Sequence, residues 1–255
     1  MKNALQQIAL GFVVIVTSAC TRHAPPTGVK PPADFDWMKT WNEVTTENVT
    51  DSGKIDFVAV KAHPEKLKNV VAWVGDHGPK STPALFTTRD AQISYYLNSY
   101  NALAMYNAIT SSVKPKDKIR FFLLTKMKID GQQMDLHAYE NKVIRPLGEE
   151  RVHFQLNCMV KGCPRLPNHV IPAENIEQTL ADAATLFLNE DRNIEIHADK
   201  KTVRVSSILK FYTGDFLKKA PSLIEYANKY RAADKQIPKD YKVEFIPYNW
   251  DLNQK

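Results

Sequence analysis

The spacing of apolar residues along the chain predicts several helices. Residues 89–109 carry apolar side chains at helical intervals, among them Ile93, Leu97 and Ala104, and residues 63–76 show the same spacing from Leu67 onwards. Because an α-helix completes a turn in about 3.6 residues, such spacing places the apolar side chains on one face. Further helices are predicted over residues 136–145, 172–190 and 222–232.

Alternating or β-branched runs predict strands in the second half of the chain. Residues 118–129 and 132–136 flank an Asp-Gly pair, and residues 193–198 and 202–207 flank the sequence DKK; both arrangements are typical of hairpins. Residues 151–157 (RVHFQLN) and 241–248 are predicted strands as well. Since helices and hairpins do not alternate as βαβ units, we expect an α+β fold: an antiparallel sheet with helices packed on it.

The beginning of the chain has the pattern of a bacterial lipoprotein signal. Lys2 is followed by the apolar run 8–16 and then by TSAC, which ends at Cys20. Nine apolar residues are too few to span a bilayer, so residues 1–19 are predicted to be a cleaved signal peptide, although Thr17 replaces the usual Leu or Val. Cys20 would then be lipidated, and the Pro-rich residues 20–33 would tether a single globular domain, 34–255, to a membrane. Because no Asp follows Cys20, the predicted location is the periplasmic face of the outer membrane.

Composition narrows the classes of function. Charged residues make up 24% of the chain and its net charge is +6, but the basic residues are scattered among acidic ones, so no nucleic-acid-binding arm is predicted. Only nine glycines are present and no glycine-rich phosphate motif occurs, so no nucleotide or other cofactor is predicted.

The stretch HFQLNCMVKGCP, residues 153–164, holds the candidate chemistry. Cys158 and Cys163 are the two cysteines that lipidation would leave free, and they would face an oxidising compartment. They could form a disulfide, structural or redox-active. Alternatively Cys158 could be a reduced nucleophile served by His153, which requires the predicted strand to end near Asn157 because alternating residues point apart. A zinc site with His153 is a third alternative, although no second cysteine pair is present.

Polar residues inside apolar helices are the remaining candidates. Asn98 and Asn101 lie three apart, hence on one face of the predicted helix 89–109. They would either line a ligand-binding groove or satisfy buried loop backbone. Glu140 could orient a catalytic imidazole, or it could be a solvated carboxylate paired with Arg145. Further candidates are the bases His137, His169 and Lys161, the oxyanion donor Gln155 and the turn aspartates Asp215 and Asp251, while Tyr248 and Trp250 are predicted core aromatics.

Together these motifs resemble the domain-of-unknown-function 547 family. LNSYNAL, RVHFQLNCMVKGCP, the following helix, ILKFYTGDF and YNWDLN occur in the order of the family over residues 85–255. His153, Asn157, Cys158, Cys163 and Pro164 match the cysteine motif of the family, but Gly162 replaces its Ser. The helix motif also matches at Asn98, Tyr100 and Asn101. The resemblance implies an envelope or secreted bacterial protein, and the loose grouping of the family with papain-like and transglutaminase-like folds favours a Cys nucleophile.

Two hypotheses follow for the function. The first is a papain-like cysteine hydrolase or transferase acting on amide or thioester bonds of a peptide or small thiol. Cys158 would be the nucleophile, His153 (or His137) the base, and Glu140 or Asn101 the orienting group, with Gln155 or Asn157 at the oxyanion. The second is a non-enzymatic binding or scaffolding lipoprotein with a structural Cys158–Cys163 disulfide and a groove at Asn98 and Asn101.

Overall fold

The structure, a computed structural model, describes residues 22–24, 27–111 and 115–255. The predicted signal peptide and Cys20 lie outside these residues. The described helices are α1 (Trp37–Asn48), α2 (Phe57–Ala62), α3 (Glu65–Asp76), α4 (Arg89–Thr110), α5 (Leu136–Tyr139), α6 (Ile176–Asn189), α7 (Ser207–Phe211), α8 (Thr213–Phe216) and α9 (Leu223–Asn228). The described strands are β1 (Arg22–His23), β2 (Thr125–Ile129), β3 (Gln132–Met134), β4 (Ile194–His197), β5 (Thr202–Ser206) and β6 (Lys242–Ile246). Within this part of the chain, no helix combines the length and apolarity needed to cross a lipid bilayer.

The strands form two small sheets. In the first, β2 pairs antiparallel with β3 and parallel with β1; in the second, β5 pairs antiparallel with β4 and parallel with β6. The β2–β3 turn consists of Asp130 and Gly131, both with positive φ, as the predicted Asp-Gly hairpin requires. The predicted α+β class is confirmed, with mixed rather than purely antiparallel sheets. Pairing of β1 also attaches part of the predicted tether to the domain.

Helix α4 is the centre of the first hydrophobic core. Thr88 caps it by accepting a hydrogen bond from the Ala91 amide at 3.1 Å, and its residues 93–109 are all buried. A helix buried on every side has to be surrounded by other elements. Helices α1 and α3 supply aromatic and β-branched side chains to this core, including Trp41 and Val74.

A second core lies around the later elements. Phe154 packs there with Phe187 of α6, Phe216 of α8 and Tyr226 of α9. The inward residues of β5, such as Val205, cover the same cluster. The segment that holds the cysteines therefore runs between two cores.

The prediction of a strand over residues 151–157 is wrong. Residues Glu150–Phe154 form a 3₁₀ helix, in which the Gln155 amide donates to the Val152 carbonyl at 2.9 Å. Val152 and Leu156 are buried in the first core, whereas Phe154 is buried in the second. The alternating pattern therefore arises because two cores flank the segment, not because a sheet has two faces. Residues Ile119–Leu124, predicted as part of a hairpin strand, form a π-helical turn instead.

Candidate functional site

The cysteine loop, residues 157–164, is held in place by asparagine side chains. Asn157 accepts a hydrogen bond from the Met159 amide at 2.7 Å and donates to the Pro164 carbonyl at 2.7 Å, so it spans the loop. Asn101 of α4 accepts from the Asn157 amide at 2.8 Å and donates to the Gln155 carbonyl at 3.0 Å. Both side chains are buried and bonded to loop backbone, so in this structure they hold the loop in place.

Asn98 does the same for a second loop. Its side-chain oxygen accepts from the Trp41 indole at 3.1 Å and from the Ile171 amide at 3.0 Å, and its NH₂ group donates to the Ile171 carbonyl at 2.8 Å. Asn98 and Asn101 are fully buried. Of the two interpretations, the structure shows the polar network that satisfies buried backbone.

Cys158 and Cys163 face each other, with their sulfurs at disulfide distance and their Cα atoms 6.4 Å apart. Cys163 is only 3% exposed, whereas Cys158 is half-buried. The Cys158 amide donates to Cys163 Sγ at 3.0 Å. The hydroxyl of Tyr248 lies 3.3 Å from Cys158 Sγ and 3.1 Å from Cys163 Sγ. Burial raises the pKa of Tyr248, so this hydroxyl stays protonated and can donate.

His153 lies between two carboxylates. Its Nε2 is 3.0 Å from Asp215 Oδ2, and its Nδ1 is 4.0 Å from Glu140 Oε1. Asp215 also accepts from Arg145 Nε at 2.7 Å and from Lys218 at 3.2 Å. The hydrogen bond from His153, reinforced by Arg145, holds the pKa of Asp215 well below its usual range. Asp215 is thus a permanently ionised partner of the imidazole.

The predicted pairing of His153 with Cys158 is not seen in the described structure. The polar neighbours of Cys158 Sγ are Cys163 and Tyr248, while His153 Nε2 is bonded to Asp215 and its Nδ1 faces Glu140 without a hydrogen bond. The His153 ring stacks on Tyr212 with ring centroids 3.6 Å apart. Residues 150–154 form a 3₁₀ helix, so the strand alternation that would have pointed His153 and Cys158 apart is absent; the hydrogen bond to Asp215 and the stacking on Tyr212 hold His153 instead. Glu140 Oε1 is the carboxylate oxygen nearest to His153 Nδ1, but no hydrogen bond joins them, so an orienting role of Glu140 stays a prediction.

Cys158 opens into a cavity of about 330 Å³, here called the aromatic cavity, whose walls are mostly apolar and include six aromatic side chains. The lining comes from α4, α5, α7, the cysteine loop, the segment after β6 and two π-helical turns, Ile119–Leu124 and Glu140–Ile144, with their flanking residues. It comprises Tyr100, Lys118, Ile119, Phe122, Leu123, His137, Glu140, Asn141, Cys158, Ile208, Phe211, Tyr212, Tyr248 and Trp250. The Lys118 ammonium lies 4.2 Å from the centre of the Trp250 ring. Glu140 is 8% exposed, and its Oε2 accepts from the Tyr100 hydroxyl at 3.4 Å, while its Oε1 has no hydrogen-bond partner. The cavity therefore combines apolar walls with one buried carboxylate.

The family comparison covers the middle of this arrangement. Residues 84–188 match the family model described as a protein of unknown function, DUF547.

This region belongs to the DUF547 family.

The DUF547 region contains α4, Glu140, the cysteine loop and α6, so the family resemblance seen in the sequence is confirmed there. Phe211, Tyr212, Tyr248 and Trp250 of the cavity lie beyond the matched residues. The chain has no significant match among curated proteins or among solved structures.

The other candidate bases, His137, His169 and Lys161, lie in three different places, and one of them lies near Cys158. His137 lines the same cavity as Cys158. His169 lines a different hollow of about 410 Å³, together with Arg165 and Gln155. Lys161 lies 3.8 Å from Asp251 on the surface. In the described part of the chain, no three His, Cys, Asp or Glu side chains cluster as metal ligands do, so the zinc alternative has no support there.

Sequence reasoning missed most of the cavity wall. Tyr248 packs against the second core, as predicted, but it also lines the cavity together with Trp250, and their ring centroids are 4.7 Å apart. Phe122 and Phe211 gave no signal at all, because they reach the cavity from distant segments. In the structure these walls are marked by apolar residues that stay exposed, such as Ile119 and Phe211, and the sequence alone does not show this exposure.

Proposed function

We propose that this chain is a lipid-anchored protein of the cell envelope that binds a small, mostly apolar molecule in the aromatic cavity. The observation that supports this is the cavity itself: it is open, has aromatic walls, and offers a single buried carboxylate at Glu140. Ligand sites in proteins have this composition, in which apolar walls supply affinity and a few polar groups set orientation.

The size of the cavity sets the expected affinity. Its volume of about 330 Å³ suits a two-ring molecule of roughly a dozen heavy atoms. At roughly 0.3–0.5 kcal/mol per heavy atom, such a ligand would bind with a free energy near −5 kcal/mol, a Kd of roughly 0.1–1 mM. A natural ligand that also satisfies Glu140 would bind more tightly.

Binding can be tested by calorimetric titration with 2-(2-naphthyl)ethanol. We expect a Kd in the range above and a weakening of about tenfold in the Phe211→Ala variant, which removes one aromatic wall. Leu217→Ala is the matched control, because Leu217 is exposed to a similar extent (44%, against 49% for Phe211) and does not line the cavity. Equal affinities in both variants, or no binding to the unaltered chain, would refute the proposal.

The membrane anchor is a separate part of the proposal, supported by the sequence around Cys20. In cells fed a labelled fatty acid, the unaltered chain should carry the label and sediment with outer membranes. Cys20→Ser should abolish both, because no thiol remains at the predicted acylation position. A Cys20→Ser chain that still sediments with membranes would contradict the anchor and leave the cavity hypothesis intact.

A cysteine hydrolase or transferase acting on peptides remains the second candidate. The specific observation in its favour is that His137 and Cys158 line the same cavity, with Glu140 beside them. This activity requires the cysteine pair to be reduced, because only a thiolate is nucleophilic. After reduction, Cys158 should react with iodoacetamide faster than a model thiol, and His137→Asn should remove the excess. Labelling at the model rate would exclude an activated nucleophile.

A further inference from the structure

We propose that the Cys158–Cys163 pair undergoes exchange with an external thiol that has an apolar body, Cys158 being the sulfur attacked and Cys163 the leaving group. This inference rests on the proposed cavity binding, which brings the thiol to Cys158, and names the chemical class of the ligand.

The two sulfurs are presented asymmetrically. Cys158 lines the cavity, whereas Cys163 is 3% exposed and is not part of the cavity wall. A thiolate must approach the sulfur that it attacks, and here access from the cavity selects Cys158. A structural disulfide with no such function would need neither the cavity nor the asymmetry.

The leaving sulfur has hydrogen-bond donors already in place. The Cys158 amide lies 3.0 Å and the Tyr248 hydroxyl 3.1 Å from Cys163 Sγ. Hydrogen bonds to an anion are about twice as strong as those to a neutral acceptor, so these donors favour the developing thiolate.

Gly162 makes the position of Tyr248 possible. A Cβ atom at residue 162 would lie 2.9 Å from two carbons of the Tyr248 ring and 3.0 Å from the Asn249 amide nitrogen. Any other residue would therefore push Tyr248 away from the sulfurs. The absence of a side chain at Gly162 thus allows the Tyr248 hydroxyl to lie beside both sulfurs.

The reaction balances without any group outside the named reactants. The thiol RSH loses its proton to solvent, and RS⁻ forms a bond to Cys158 Sγ while the Cys158–Cys163 bond breaks. The electron pair of that bond leaves on Cys163 as a thiolate, which is then protonated by solvent. A second RS⁻ attacks the sulfur of R in the mixed disulfide and releases RSSR, while the electron pair of the broken bond leaves on Cys158 as a thiolate that solvent protonates. Two thiols are thus oxidised and the cysteine pair is reduced by two electrons.

The test compares two thiols on the full oxidised chain in detergent: 2-(2-naphthyl)ethanethiol and 2-mercaptoethanol at equal concentration. Samples are quenched with acid, alkylated with N-ethylmaleimide and mapped by peptide mass. We expect the mixed disulfide on Cys158, the maleimide on Cys163, and a rate at least about tenfold higher for the naphthyl thiol. Adducts mainly on Cys163, or equal rates for the two thiols, would overturn the inference.

Two further measurements separate the possible failures. Tyr248→Phe should slow exchange by about tenfold with both thiols, because it removes one donor to the leaving sulfur. Tyr241→Phe is the matched control, and identical rates in the two variants would refute the role of the hydroxyl.

Binding of 2-(2-naphthyl)ethanol, which has no thiol, tests the cavity alone. If the alcohol binds but the thiols show no preference, the exchange inference fails and the binding function stands; if the alcohol does not bind, the binding function itself fails.

Discussion

Replacing Asn98 by alanine should be one of the most damaging single changes in the chain. The substitution removes the acceptor for the Trp41 indole N–H and for the Ile171 amide, both of which are buried. The Ile171 carbonyl keeps its hydrogen bond from Ser94 at 2.7 Å, so two donors are orphaned. At roughly 1–3 kcal/mol for each buried unsatisfied group, the free energy of unfolding should fall by about 4 kcal/mol. That is a large fraction of the roughly 5–15 kcal/mol typical of a folded domain.

Asn107→Ala is the matched control. Asn107 is in the same helix and equally buried, but its side chain donates to the Phe121 carbonyl at 3.2 Å and its side-chain oxygen has no hydrogen-bond partner. Its loss should cost only about 1 kcal/mol. Urea unfolding followed by far-ultraviolet circular dichroism measures both values, and Asn98→Ala should lower the midpoint by about 1.5 M. If the free energy of unfolding falls equally in the two variants, the two buried donors that Asn98→Ala leaves without an acceptor do not explain its effect.

Three further changes test other parts of the structure. Asp215→Asn should flatten the acid side of the stability curve. The pKa of Asp215 is depressed in the folded chain, so its contribution is fully present above the ordinary aspartate range and is lost as the pH falls from that range towards the lower folded pKa. A stability difference between variant and unaltered chain that stays constant from pH 6 to pH 3, measured by urea unfolding, would contradict this. Gly162→Ala should lower the free energy of unfolding by about 1–3 kcal/mol, because the added methyl group clashes with Tyr248. Gly214→Ala is the control and should be neutral or slightly stabilising, since a Cβ atom there would have no atom within 4 Å. If thermal unfolding shows Gly214→Ala to be the less stable variant, the close approach of Gly162 and Tyr248 is excluded. The double change Cys158→Ala and Cys163→Ala should lower the free energy of unfolding, measured with urea and without reductant, by about 2 kcal/mol, the loop-closure value for so short a loop. The intact mass of the unaltered chain should be lower than that of its reduced form by the mass of two hydrogen atoms. Equal masses of the two forms would show that no disulfide forms.

Much of the fold could be predicted because its signals are local. Helix α4, the Asp-Gly hairpin and the β4–β5 hairpin each follow from spacing or turn chemistry within a few residues. The parallel pairing of β6 with β5 could not be predicted, since more than 30 residues separate the two strands and the pairing leaves no local pattern. Residues 151–157 were misassigned for a physical reason: contact with two cores imitates the two faces of a sheet.

The candidate site was less predictable than the fold. The sequence singled out Cys158, Cys163, His153 and Glu140, but it could not tell that Tyr212 stacks on the imidazole or that Tyr248 lies over the sulfurs. Both tyrosines come from segments well after the cysteine loop. The residue types indicated which chemistry is possible, but the contacts between these groups depend on long-range packing that the sequence does not show.

The segment after β6 has a consequence for the order in which the protein is made. Its backbone joins the cysteine loop to the first core: the Gly162 amide donates to Asn249, the Asn253 amide to Met159, and the Ile55 amide to Asn253. Ribosomes deliver this segment after everything that it joins. The two cysteines are therefore synthesised before Tyr248 and Trp250, and they can meet each other before these aromatic residues are present to cover them.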